Sequence, residues 1–381
     1  DDSEASRVRI VRGGSTGMAI EEEARTLEGI LIEPVIEFDR KRLDVLLGVF
    51  AAVFVGIPVA FALGTSLVVP SILVALGSFN LYLGQGILAP PTRLRVAAVA
   101  CLLDAVGIAV GTLVAASGPW EIPLIALAVA AFQLALFLPH SRSVALSSTA
   151  VFAIAFGLPL GTSADALSRA LLILLGGGWG LVGSALEWQV RRRLVARSSH
   201  GSASRWVRGP LAPTALPPLP PRTVIALAVT LGVSAATAYG IAVGMGLPRN
   251  YWAILSVIVV LQSGLLATLS MAVVRVGGTS VGAAIGGYLS IVITAPWAVG
   301  LLVAGLVGGA LAVRNANRAV YVVFLTPFVL VVLGIAYPAG WSLATDRILD
   351  TLVGGSVALL AGFVMWLALR ATAKARPRAP S

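Results

Sequence analysis

Long apolar runs separated by short polar breaks set the pattern of this chain. Runs fall at about 43–65, 68–88, 95–117, 119–138, 143–160 and 168–188, then at about 223–246, 251–268, 271–293, 296–313, 319–337 and 348–369. Each is close to the roughly 20 residues a helix needs to cross the hydrocarbon core of a bilayer. Between the two sets stands a stretch that cannot span, with Arg191, Arg192 and Arg193 at its start and APTALPPLPPR at its end. It reads as a basic, semi-rigid polyproline linker over 191–221. Residues 1–42 are polar and mixed in charge. Within them Met18 to Phe38 is either a short surface helix or part of a solvated tail. Residues 371–381 make a second, basic tail. The pattern predicts an all-α polytopic membrane protein of about 12 transmembrane helices.

Self-comparison turns the twelve runs into two sets of six. Arg42 and Arg222 open equivalent runs; Gly64 matches Gly244, Gly84 matches Gly264, and Arg95 matches Arg275, all at a shift of 180. Pro119-Trp120 matches Pro296-Trp297, and Arg142 matches Arg318. Arg169 and Trp188 match Arg347 and Trp366 at a shift of 178. These landmarks predict two parallel six-helix repeats, at 43–190 and 222–370. Six crossings bring each copy back to its starting side, so the copies are related by an axis along the membrane normal. The unit is clearest at Asn250 to Gly287, read as two spans joined by a very short cytoplasmic turn with Arg275 at the foot of the second. Gly278, Gly282 and Gly286 follow at intervals of four, a ladder that lets another helix approach closely in lipid.

Composition agrees with the bilayer as solvent: 58% of residues are hydrophobic and 12% charged, with mean hydropathy +0.95. The net charge of +10 would ordinarily raise nucleic-acid binding, but a polytopic protein carries basic residues in its cytoplasmic loops to fix orientation. With both termini cytoplasmic, only Arg169, Arg249 and Arg347 of the 27 basic residues fall on the outer side. Cys101 is the single cysteine and lies in an apolar run, so no intrachain disulfide can form. Neither His140 nor His200 has a second ligand at metal spacing. The first run starts too late and is too long for a cleavable signal peptide. The chain does not begin with Met, which leaves room for a preceding N-terminal piece.

Asp104 is the sharpest candidate for chemistry. Nine residues beyond Arg95, it lies about 13 Å along the helix, near mid-membrane. A charged Asp there costs roughly 2.5–3.5 kcal/mol, so it is compensated or protonated; it is either a proton-coupling group or a neutral Asp hydrogen-bonded to a neighbouring helix. Its repeat equivalent is Ala284, so no symmetric pair exists. Arg95, Arg142, Arg275 and Arg318 form a set at inner ends of spans. They are either positive-inside anchors or a basic vestibule that concentrates organic anions. Arg169 and Arg347 run against the inside bias; either they serve at an external gate or anion exit, or local pairing is all they do. Asp350, three residues after Arg347, is placed for a local ion pair on one helix face. Asn80, Tyr82 and Gln85, with Gln262 at the position equivalent to Tyr82, offer polar groups either to a solute or to neighbouring helices. The pairs Gly107/Gly111, Gly176/Gly180 and Gly305/Gly309 read as packing devices. Neither Lys follows a phosphate-binding glycine loop, and no serine-nucleophile, metal-cluster or paired-carboxylate pattern is present. The expectation is a protein that is not an enzyme and takes no cofactor or metal.

Tyr251-Trp252-Ala253, Arg275 with Gly278-Thr279 and Gly282-Ala283, the isolated Arg318, and Arg347 with Asp350-Thr351 and Gly354 together resemble the fusaric-acid-resistance-like family. That family includes bacterial aromatic-acid exporters and is distantly similar to plant aluminium-activated malate channels. The resemblance covers about 222–370, and 43–190 looks like a more divergent first copy. Larger exporters of this group carry a sizeable soluble cytoplasmic domain, where this chain has a linker of about thirty residues. Their substrates and their cooperation with periplasmic adaptors are therefore not carried over. What the resemblance implies is a transporter in a bacterial plasma membrane, exporting small organic or aromatic acid anions with or without proton coupling. The alternatives are a passive anion channel and a non-transporting scaffold. The expected partners are the lipid bilayer and a small organic anion, with a homodimer among the expected assemblies and no nucleic acid.

Overall fold

The computed structural model describes residues 37–85, 92–137, 142–158, 164–197, 220–337 and 340–374. They form twelve α-helices, with no strand among them: α1 Val45–Gly64, α2 Val68–Gln85, α3 Thr92–Ala115, α4 Glu121–Gln133, α5 Arg142–Ile154 and α6 Asp165–Arg197, then α7 Pro221–Gly244, α8 Tyr251–Val260, α9 Leu265–Val292, α10 Pro296–Val313, α11 Arg318–Ala336 and α12 Trp341–Lys374. Among the described residues nine helical segments are long and apolar enough to cross a membrane, while Val68–Leu83, Val144–Ile154 and Tyr251–Val260 are shorter apolar helices. The protein is an all-α, multi-pass membrane protein.

Local chemistry accounts for the helix ends. The Asp44 carboxylate accepts from the Leu47 amide at 3.1 Å to open α1, and the Asn317 side chain accepts from Val320 N at 2.8 Å to open α11. Pro221 and Pro296 stand in the first turns of α7 and α10, where no amide hydrogen is needed. Large apolar side chains face outward on the first helix of each half at matching positions. Val49 and Val53 of α1 correspond to Val229 and Val233 of α7, and all four are exposed, as lipid contact requires.

Packing follows one rule in both halves. α3 lies on α5 and α6, and α9 lies on α11 and α12; α2 lies on α6, and α8 on α12. The first helix of each half instead crosses over, α1 packing on α10 and α7 on α4. The halves are therefore interlocked. A further junction joins them at the start of α1, where Asp39 N and Asp44 N donate to the carbonyls of Ala316 and Ala312, both at 3.0 Å. Asn317 Nδ2 donates to the Glu37 carbonyl at 2.8 Å.

Three boundaries differ from the hydropathy pattern. α8 stops at Val260, and the break before α9 falls at 261–264 rather than near 269–270. Leu261 and Gly264 are extended, and Thr268 Oγ1 donates to the Gly264 carbonyl at 2.9 Å while accepting from Gln262 N at 3.1 Å. A hydroxyl that satisfies both sides of the break overrides the unbroken apolar run. α6 continues to Arg197, past the end of the apolar run at 188, and α12 extends from 341 to 374 rather than 348–369. Met18 to Ile36, residues 198–219 of the linker and residues 375–381 lie outside the described residues.

Candidate functional site

Arg275 is not at the foot of its helix. α9 begins ten residues earlier, which puts Arg275 about 15 Å along it, and its side chain is only 6% exposed. Gly278, Gly282 and Gly286 bring α11 against the same helix. A Cβ at Gly282 would lie 2.8 Å from Thr326 Cβ, and one at Gly286 2.8 Å from Pro327 Cα. The predicted ladder therefore serves the α9–α11 contact. Thr279 and Thr326 are buried there, with hydroxyls that have no hydrogen-bond partner.

Arg347 enters from the opposite direction, seven residues into α12, and is 4% exposed. Its guanidinium lies 5.0 Å above the ring of buried Trp252 at the start of α8. Stacking of a desolvated guanidinium on an indole contributes about 2 kcal/mol. The close approach of the two helices is set by Gly354, whose missing Cβ leaves room for the Ala253 carbonyl and for Ser256. Arg347 Nε and Nη1 have no hydrogen-bond partner, and neither has either oxygen of Asp350, which is 0% exposed. The ion pair expected between these two residues is not formed: α-helical i, i+3 spacing allows it, but the guanidinium is turned onto Trp252 instead.

Other charged and phenolic groups extend this cluster in both directions. On one side Arg249, in the turn before α8, bonds Asp346 of α12 at 2.7 Å and also faces Trp252 at 5.9 Å. Tyr251 lies within electrostatic reach of Arg249, Arg347 and Asp350, and Tyr337 at the end of α11 within reach of Arg249 and Arg169. On the other side Arg347 is within reach of Arg275, Arg275 of Tyr321, and Tyr321 of Arg314 in the turn between α10 and α11. Arg314 in turn donates to the carbonyls of Tyr82 and Leu83 at the end of α2. The result is a file of groups running along α8, α9, α11 and α12, with two arginines and a carboxylate buried at its centre. Isolated buried charges of this kind are costly unless a partner neutralises them.

The remaining sequence candidates separate from the file. Arg95 is exposed, so the residue equivalent to Arg275 in the repeat does not share its environment. Arg318 is exposed and donates to Met271 Sδ at 3.6 Å. Arg169 donates to Thr112 at 3.3 Å in the first half. Asp104 is 1% exposed and its hydrogen-bonding neighbour is Ser147 of α5, with Oδ1 unpartnered. Asn80 and Tyr82 are buried in α2, the Asn80 amide nitrogen without a partner. Gln262 donates to the Val259 carbonyl at 2.9 Å. The side chains of Gln85 and Arg142 lie outside the described residues.

Two features escaped the sequence reading. Asp346-Arg347 was legible as a charged pair, but the bond from Asp346 to Arg249 spans 97 residues and has no local signal. At the other end of the molecule Arg191, assigned to the linker, is buried and bonds Asp44 at 2.8 Å and Glu187 at 2.5 Å. The i, i+4 spacing of Glu187 and Arg191 was the available clue.

Residues 224–361 match the family described as Fusaric acid resistance protein-like. The match spans α7 through most of α12 and takes in every member of the buried file from Arg249 to Asp350. Comparison with curated proteins and with solved structures returned no match.

Proposed function

We propose, from the match of residues 224–361 to the fusaric acid resistance protein-like family, that the protein carries small organic anions across a bacterial inner membrane. The direction is outward, the mechanism is alternating access, and both termini are cytoplasmic. One observation supports this reading above the others: Arg347 and Arg275 stand in a single file inside the second half, buried and with nitrogens that lack hydrogen-bond partners. A positive site of that kind in low dielectric attracts an anion strongly and rejects cations. Arg249 and Arg314 at the two ends give the file a cationic entrance and exit.

The test is flux of benzoate into liposomes that contain the purified full chain, with and without a pH gradient. Saturable flux that responds to the gradient supports the carrier. An ohmic benzoate current that does not saturate supports the channel instead. Flux no faster than in empty liposomes sinks both and leaves a scaffold.

A further inference from the structure

Asp350 has a place in this file that the basic residues do not explain. It is fully buried, both carboxylate oxygens lack hydrogen-bond partners, and it stands one turn along α12 from Arg347, two of whose nitrogens are also unpartnered. Charged and titratable groups reach it from its own helix and from α8 and the turn before it, while Tyr239 of α7, which also packs on α12, is bonded to Glu121. The groups that reach it are Asp346 and Arg347 on α12 itself, Arg249 in the turn before α8, and Tyr251 on α8. From α9, Arg275 reaches Arg347, and from the end of α11, Tyr337 reaches Tyr251. Arg249 already has a partner in Asp346. Arg347 therefore has two anions to choose between, the tethered carboxylate and any solute that enters.

Resting on the anion-path reading above, we propose that Asp350 competes with the transported anion for Arg347, so that binding of the anion is coupled to uptake of one proton by Asp350. With the site empty, the carboxylate is a counter-charge within electrostatic reach of Arg347, though not bonded to it. When a solute anion takes that place, a second negative charge beside it in low dielectric is strongly unfavourable, and a proton taken from water onto Asp350 removes it. Anion and proton then occupy the site together. By linkage each tightens the binding of the other by the same factor. Transit of the pair moves no net charge, so it is indifferent to the membrane potential and follows the combined gradients of solute and proton. Asp104 lacks the means to do this: its neighbours are Ser147 and Cys101, with no arginine among the described groups that reach it.

The experiment titrates the full chain in detergent with benzenesulfonate, whose own charge is constant from pH 5 to 8. Binding is read by tryptophan fluorescence and by calorimetry in two buffers of different ionisation heat. Wild type should bind more tightly as pH falls, by up to about tenfold per pH unit, taking up as much as one proton per anion. Asp350→Asn should bind with no pH slope and no proton uptake, and Asp104→Asn should keep the wild-type slope. A wild type that binds with neither slope nor proton uptake overturns the proposal, and this outcome needs no variant to fold. So does Asp350→Asn with the wild-type slope, or Asp104→Asn without it. If wild type does not bind the probe, or Arg347→Gln binds it as well as wild type, the anion path itself is wrong and the proposal falls with it.

Discussion

The two halves of this molecule share a packing scheme and differ in what they do with charge. Among the described residues of the first half, Arg191 holds Asp44 and Glu187, and Asp104 meets Ser147 with one oxygen left unpartnered. Arg95, at the position equivalent to Arg275, is exposed. In the second half Arg347 and Asp350 are buried one turn apart with polar atoms left over, and Arg275 is buried within electrostatic reach of Arg347. The first half thus uses its buried arginine for architecture, while the second keeps buried arginines available. The family match, which falls on the second copy alone, lies over the half in which charge is available.

Breaking the architectural set should have the largest effect. Arg191, Asp44 and Glu187 tie the end of α6 to the start of α1, and all three are buried. Their second-half equivalents are Leu369, Val224 and Met365, so no second copy shares the strain. Arg191→Met leaves two carboxylates facing each other without a cation, a loss of about 3–5 kcal/mol. Arg249→Met, whose pair with Asp346 is partly exposed at 19% and 12%, should cost markedly less. Thermal unfolding of the two variants in the same detergent measures the order. Equal midpoints would mean the first half's triad is no more structural than the second half's pair.

Next in size is the contrast in transport. Arg347→Gln and Arg275→Gln each remove a buried charge from the file, and benzoate flux should fall about 10- to 100-fold, the scale of a lost hydrogen bond to a charged group. Arg169→Gln and Arg95→Gln change the corresponding positions of the first half, where the guanidinium bonds a hydroxyl or faces outward. Flux should change by less than about threefold. A loss of similar size in all four would show that both halves line the path, and the asymmetry drawn from burial would be wrong.

The sequence made the scaffold legible because helix number, small-residue ladders and repeat landmarks are local or periodic signals. Twelve apolar runs became twelve helices, and Gly278, Gly282 and Gly286 meet α11 as their spacing implied. The site was legible only as a set of residue types. Arg275, Arg347 and Asp350 were all identified as candidates, yet the depth of Arg347 and Asp350 depended on where α12 begins, and that of Arg275 on where α8 ends. That boundary rests on one threonine hydroxyl within an apolar run, a signal too small for hydropathy to register. Equivalence in the repeat also misled: Arg95 and Arg275 align in sequence, while one is exposed and the other buried.

The smallest expected effect separates two glycines of one ladder and asks how close the α9–α11 contact is to its counterpart in the first half. There α3 meets α5 at Gly107 and Gly111, where an added Cβ would run into the carbonyls of Ser148 and Phe152. In the second half Gly286 faces the Cα of Pro327 at 2.8 Å, backbone that cannot step aside, whereas Gly278 faces the side chain of Val322 at 2.9 Å. Overpacking costs typically about 1–3 kcal/mol, at the upper end where the neighbour cannot move. Gly286→Ala should therefore lower stability by about 1 kcal/mol more than Gly278→Ala, with Gly107→Ala and Gly111→Ala grouping with the former. Unfolding midpoints in one detergent resolve that difference. If Gly278→Ala is the more damaging, the side of the ladder nearer Arg275 is the rigid one, and α11 is held against α9 at the level of the buried arginine rather than at Pro327.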